Sequence, residues 1–364
     1  MVTRENHQDD APETLDADEI FWADLQPWLR STGYELRRRY RPSWVPSWKQ
    51  RKTSLFWWEF EDSLKAKHPS VMDAKRTVDG SSVMLKKVRV SDHPMEVELT
   101  KYLASELKDE KNHSPDLIDV LTVPEDHNMR ILVFPLLRRF DDPEFDAVIE
   151  LIEFLRQIIE GVQFLHHNRI AHRDIGVLNI MMDTSMYPDG FHPAAPSKTP
   201  DFREDAKHIP RNVAHPRYFL IDFGLAVRYE YAELQPRAVP VRGQDKTVPE
   251  FAAPGGMQNA YDPFPTDIYY LGNFIREHFF EGKDDKKAKL GLEFLRPLVE
   301  EMCSTDPSKR PDIDAVSEKF SVLAGGIPHS RMKARLKSKD EGMWESMKLG
   351  TTHAYRKLKY KDHE

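Results

Sequence analysis

The sequence predicts an α+β protein of two lobes, a small antiparallel sheet with one helix followed by a larger, mainly helical part. Three observations carry this prediction. Between Val71 and Val90 two β-type runs flank the turn signal Val78-Asp79-Gly80, and RILVFPLL (Arg130–Leu137) reads as a further buried strand. From Phe145 to His167 the apolar residues Val148, Leu151, Ile152, Leu155, Ile158, Ile159, Val162 and Leu165 recur at steps of three and four, the period of a long amphipathic helix. Beyond Ala226 helical patterns prevail, and 364 residues suffice for one large two-lobed unit with extensions.

In chain order, residues 1–19 are polar and acidic and read as a mobile tail. Residues 20–60 form an aromatic, Pro-rich strap holding Trp22, Trp28, Trp44, Trp48, Trp57 and Trp58, so that only Trp344 lies elsewhere. The doubled Pro-Ser-Trp of RPSWVPSW argues against a helix there and for an extended course with its indoles packed on a neighbouring surface. The small lobe is assigned to 61–137, with the hairpin above and a helix after Pro94 carrying Val97, Leu99, Tyr102 and Leu103. The large lobe follows over 138–326, interrupted by a Pro-rich insert, 184–217, that reads as disordered. A basic extension, 327–364, reads as a helix or a solvated arm, with a solvated face favoured over a functional contact to an anionic partner.

Hydrophobic residues at 40% and charged residues at 31% fit a globular protein and exclude wholesale disorder. A net charge of −7 carries no signal for nucleic acid. The lone Cys303 can form neither an internal disulfide nor a cysteine-based zinc site, so a reducing compartment, cytoplasmic or nuclear, is expected. No segment reaches the roughly 18 apolar residues of a membrane span, so no membrane partner is expected. Oligomeric state leaves no mark in the sequence.

Two segments carry chemistry. In IAHRDIGVLNIMM, Asp174 stands on a loop after the long helix and Asn179 at the mouth of a short strand, a spacing that turns a carboxylate toward a hydroxyl while an amide oxygen holds a metal. In YFLIDFGLA, Asp222 ends an apolar strand where a carboxylate can reach magnesium, and Gly224 frees the turn.

HRDIGVLN resembles the catalytic loop of the eukaryotic protein kinases, and Asp222-Phe223-Gly224 matches their DFG motif unaltered. VMLKKV resembles the strand bearing their phosphate-pairing lysine, VPEF their APE motif at Pro249 and Glu250, and PTDIYYLG their central helix with its buried Asp267. DPSKRP supplies Arg310, the partner expected for Glu250. The resemblance runs from about Val71 to Phe320. It implies a two-lobed kinase fold joined near Leu137, with ATP and magnesium, or manganese in its place, in the cleft, and a protein serine or threonine as acceptor. The roles it implies are Asp174 as catalytic base beside Arg173, Asn179 and Asp222 as metal ligands, and Lys86 as phosphate clamp. Glu96 would pair with Lys86, Glu98 remaining open, and Phe134 would guard an adenine pocket bordered by Pro135, Leu136 and Leu137. The opening FWADLQPWLRSTGYELRRRYRPSWVPSW and the insert YPDGFHP are also similar to a group of fungal kinase-domain proteins.

The pattern has departures. Where the family presents a glycine-rich phosphate loop, LKAKHPSV before Val71 has no glycine. The family's lysine two residues after the catalytic aspartate is Gly176, and the threonine that contacts it aligns with Gly243. These losses predict a slow enzyme. A catalytically silent ATP-binding or scaffolding module stays open, and a small-molecule kinase fits less well because the APE motif and Arg310 belong to machinery that docks polypeptides. Between Gly224 and Pro249 the only hydroxyl residues are Tyr229, Tyr231 and Thr247, leaving Arg173 to pair with Glu230, Glu233 or nothing.

Overall fold

A computed structural model describes residues 13–50, 54–283 and 286–360. The chain divides into two compact units. The first contains residues 13–50, 54–92, 116–137 and 187–208, and is built on a five-stranded antiparallel sheet. Its strands are β1 (Tyr34–Leu36), β2 (Val71–Arg76), β3 (Ser82–Arg89), β4 (Asp119–Thr122) and β5 (Met129–Pro135), in the order β1-β2-β3-β5-β4. The predicted hairpin is β2–β3; at its turn Asp79 accepts from the Ser81 N–H at 2.9 Å. Val83 and Leu85 alternate with Met84 and Lys86, so Val83 and Leu85 join Ile131, Val133, Met72 and Ala74 in the core on one face.

That face is covered by helix α1 (Ala17–Ser31), whose Trp22 and Leu29 are fully buried. The helix begins inside the range read as a mobile tail. Its start is a capping box, Asp16 accepting from Glu19 N–H and Glu19 from Asp16 N–H. Glu19 is also buried against Arg39, with contacts of 2.7 and 2.9 Å, and accepts from Tyr40 Oη at 3.0 Å. Burial opposes ionisation of Glu19, but the Arg39 and backbone donors outweigh it and hold the carboxyl below its usual range.

Residues 20–60 are therefore more than a strap. Tyr34–Leu36 is the edge strand of the sheet, and residues 37–70 form the connection to β2. Arg37 anchors that connection, gripping both oxygens of Asp73 (3.0 and 2.9 Å) and donating to Leu64 O (2.8 Å) and Glu61. The second Pro-Ser-Trp is not extended. Asp62 accepts from Ser47 N–H (3.0 Å) and Trp44 Nε1 (2.9 Å), starting a helical turn, α2 (Ser47–Gln50), with Pro46 ahead of it where a missing N–H costs nothing. The insert is ordered as well: Tyr187 and Phe191 are buried edge to face at 5.2 Å, and buried His192 lies 3.3 Å from Glu61.

The second unit spans residues 93–115, 138–186, 209–283 and 286–360. It contains α3 (Pro94–Ser105), α4 (Val148–His167), α5 (Arg211–Ala214), α6 (Pro249–Ala252), α7 (Pro263–Ile275), α8 (Arg296–Met302), α9 (Ile313–Gly325), α10 (His329–Met332) and α11 (Met343–Lys359). Its short strands are β6 (Arg138–Arg139), β7 (Ile170–Ala171), β8 (Ile180–Met182), β9 (Tyr218–Leu220) and β10 (Val227–Arg228). They form the sheets β6-β8-β9 and β10-β7. The predicted apolar stripe of α4 is buried, and Phe140 stacks on Phe154 at 4.8 Å in an aromatic core completed by Phe145, Phe274 and Tyr218. Among the described residues no helix is long and apolar enough to cross a membrane.

Candidate active site

Strands β8 and β9 pair antiparallel with Ile180 opposite Leu220, and Ile221 N–H donates to Asn179 O at 2.9 Å. This register brings Asn179 and Asp222 to the same end of the pair. Asp174, on the loop before β8, lies beside them: Asn179 Nδ2 donates to its carboxylate Oδ2 (2.8 Å) and to its backbone oxygen (2.9 Å). With its nitrogen committed, Asn179 has its carbonyl oxygen to offer a cation. Asp222 accepts from Gly224 N–H through Oδ1 at 3.1 Å, and its carboxylate places further oxygens at this end of the strand pair. Oxygen donors of this kind suit a hard divalent cation such as magnesium.

The supporting groups are buried in the same unit. Asp267, at 0% exposure, accepts from His172 N–H (2.8 Å) and Arg173 N–H (2.7 Å), which fixes the loop's path. His172 meets Ile221 O through Nε2 (3.1 Å) and Asp174 N–H through Nδ1 (3.3 Å); a proton on Nε2 serves both contacts. Arg173 and Asp222 both have φ near +66°, a region that costs non-glycine residues of order 1 kcal/mol or more and recurs at functional sites. Arg173 pairs with neither Glu230 nor Glu233 in the described contacts; its guanidinium donates to the backbone oxygens of Leu225 and Val239. Glu250 and Arg310 form the expected pair, two contacts of 2.6 and 2.9 Å, nearly sealed from solvent.

On α3, Glu96 is buried and Glu98 exposed, and a Cβ placed on Gly224 would stand 3.0 Å from Glu96 Oε2. Glu96 thus faces the Asp222–Gly224 turn, as does His93, whose Nδ1 lies 3.1 Å from Gly224 O. The remaining candidates belong to the sheet unit. Lys86 on β3 pairs with Leu132, and Met84 with Phe134, so Lys86 and Phe134 share the face opposite α1; Pro135 ends β5, with Leu136 and Leu137 following. The adjacent Lys87 points the other way, 4.3 Å over the Phe21 ring.

Gln244 was not among the sequence candidates. Its backbone N–H donates to Asp174 Oδ1 at 2.7 Å, and its side-chain Oε1 accepts from Leu178 N–H at 2.9 Å. A Cβ at Gly176 would meet Gln244 Oε1 at 3.0 Å, and one at Gly243 would fall 2.2 Å from Asp174 Oδ1. The two glycines are therefore linked: Gln244 fills the space beside Gly176, and the bare Gly243 lets its own strand of backbone reach the carboxylate. The available signal was its place next to Gly243. Burial raises the Asp174 pKa, with the Gln244 and Asn179 donors opposing it. If Asp174 acts in the reaction, Gly243→Ala is expected to lower turnover about 100-fold by displacing that carboxylate, measured in steady-state assays. Gly176→Lys alone is expected to bring no gain, because Gln244 occupies its place.

Residues 67–337 match a family model described as "Protein kinase domain". Among known proteins the chain is similar to a protein of Acanthamoeba polyphaga mimivirus described as "Putative serine/threonine-protein kinase R436", at 23% identity over 58% of this chain and 74% of the relative. It is also similar to the phosphorylase b kinase gamma catalytic chain, liver/testis isoform, of Bos taurus, at 32% identity over 20% of this chain and 19% of the relative.

Proposed function

Because the chain belongs to the protein kinase family, we propose that it transfers the γ-phosphoryl group of ATP to serine or threonine hydroxyls of a protein substrate. The observation that carries this reading is the cluster of Asp174, Asn179 and Asp222 around the end of the β8–β9 pair. Asp174 takes the proton of the attacking hydroxyl, and Asp267 positions it by holding the Arg173 and His172 backbone. Asn179 and Asp222 hold the divalent cation, magnesium or manganese, which when bound draws charge from the phosphates. Lys86 supplies a cation for the phosphates. Phe134, Pro135, Leu136 and Leu137 face the adenine. Serine and threonine specificity is favoured by the mimiviral relative's description.

One observation favours a second reading, a silent ATP-binding or scaffolding module. Both Asp174 oxygens already accept hydrogen bonds, from Gln244 and Asn179. The test is transfer of labelled γ-phosphate to the protein itself and to a generic basic protein, in magnesium and in manganese. Slow incorporation is the expected result. Folded protein that gains thermal stability with magnesium and ATP yet transfers nothing would establish the silent reading instead.

A further inference from the structure

Helix α11 is amphipathic, but its orientation is the reverse of that usual for a helix packed on a globular protein. Apart from Leu349, 39% exposed, the side chains it turns toward its own unit are polar. Glu345 pairs with Lys287 Nζ at 2.8 Å, Ser346 accepts from Arg335 at 3.1 Å, and His353 and Arg356 lie 3.1 and 3.5 Å from Asp146. Lys357 donates to Lys333 O at 3.2 Å. At about 100° per residue, Met343, Trp344, Met347, Tyr355 and Leu358 fall on the opposite side, within an arc of roughly 120°. They are 74%, 76%, 59%, 60% and 76% exposed. This apolar stripe runs about 22 Å along the helix.

Charge selects the occupant. Lys348 and Lys359 stand along one edge of the stripe and Lys357 along the other, while the helix's single acid, Glu345, is turned away and paired. Beside the Lys357 edge, a cavity of about 360 Å³ between α11 and the start of α4 has Lys333, Arg356, Lys357, His329 and His353 on its walls, against Asp146 and Glu150. A second copy of the helix would bring two lysine-edged stripes together. An anionic lipid surface instead accepts the apolar residues at the headgroup boundary and neutralises both edges. We infer that the outward face of α11 docks on an anionic membrane surface, lying on it rather than crossing it. This differs from the expectation of no membrane partner, which rested on the lack of a spanning segment, and it does not depend on phosphotransfer.

The test is co-sedimentation of the full chain with phosphatidylcholine vesicles, plain or containing roughly 30 mol% phosphatidylserine. Binding is expected only to the anionic vesicles, and should fall about tenfold in Met347→Glu/Leu358→Glu, in Lys348→Glu/Lys359→Glu, and in high salt. All four side chains are exposed, so unchanged thermal unfolding is expected to show that the variants fold. Absence of binding, equal binding to plain vesicles, or binding untouched by Met347→Glu/Leu358→Glu would overturn the inference. So would a concentration-dependent dimer, seen by light scattering, that the same variant abolishes.

Discussion

Asp174→Asn is expected to lower phosphoryl transfer by about 100- to 10,000-fold, the range a positioned general base contributes. The amide keeps the shape of the carboxylate but cannot take a proton. It also cannot accept from both Gln244 N–H and Asn179 Nδ2, because one of its two terminal atoms is itself a donor. The local cost of that mismatch is about 1–3 kcal/mol, within what a folded domain of this size tolerates, so thermal unfolding should still show a cooperative transition. The wild-type pH profile is a second readout. Since burial raises the Asp174 pKa, its ionised fraction falls at a higher pH than that of an ordinary aspartate, and the acid limb of the rate should move up accordingly. A variant with the wild-type rate would remove Asp174 from the reaction.

The largest effect on stability is expected from Arg310→Ala, about 3–5 kcal/mol in urea denaturation. Arg310 holds both oxygens of Glu250 and also donates to Ser304 O and Pro265 O. Removing it leaves a buried carboxylate with the Thr266 hydroxyl, 3.3 Å from Oε1, as its remaining side-chain donor among the described contacts. Arg310→Met/Glu250→Gln should cost less than Arg310→Ala alone, because neither side then buries an unmatched charge. A loss below about 1 kcal/mol for Arg310→Ala would show that solvent reaches Glu250 readily.

What the sequence determined by itself was local. The spacing of Asp174 and Asn179, the Asp222–Gly224 turn, the hairpin at Asp79-Gly80 and the stripe of α4 depend on neighbours a few residues away, and periodicity or turn chemistry records such neighbours directly. The pairing of Glu250 with Arg310 was legible only through the resemblance to a family. What tertiary structure alone decided involves partners far apart in the chain. Tyr34–Leu36 is too short for an alternating pattern to mark it, and it becomes a strand because β2 offers it an edge. Within the 184–217 insert, residues 187–208 are ordered because aromatic burial and the His192–Glu61 contact compensate their chain entropy. Gln244 reaches Asp174 across 70 positions, through a gap that two glycines leave open. The basic C-terminal segment shows the division most plainly. Its composition left a helix and a solvated arm both open; that it is a helix over Met343–Lys359, and which face turns inward, depends on Lys287, Arg335 and Asp146, which hold its polar side and leave the apolar one outward.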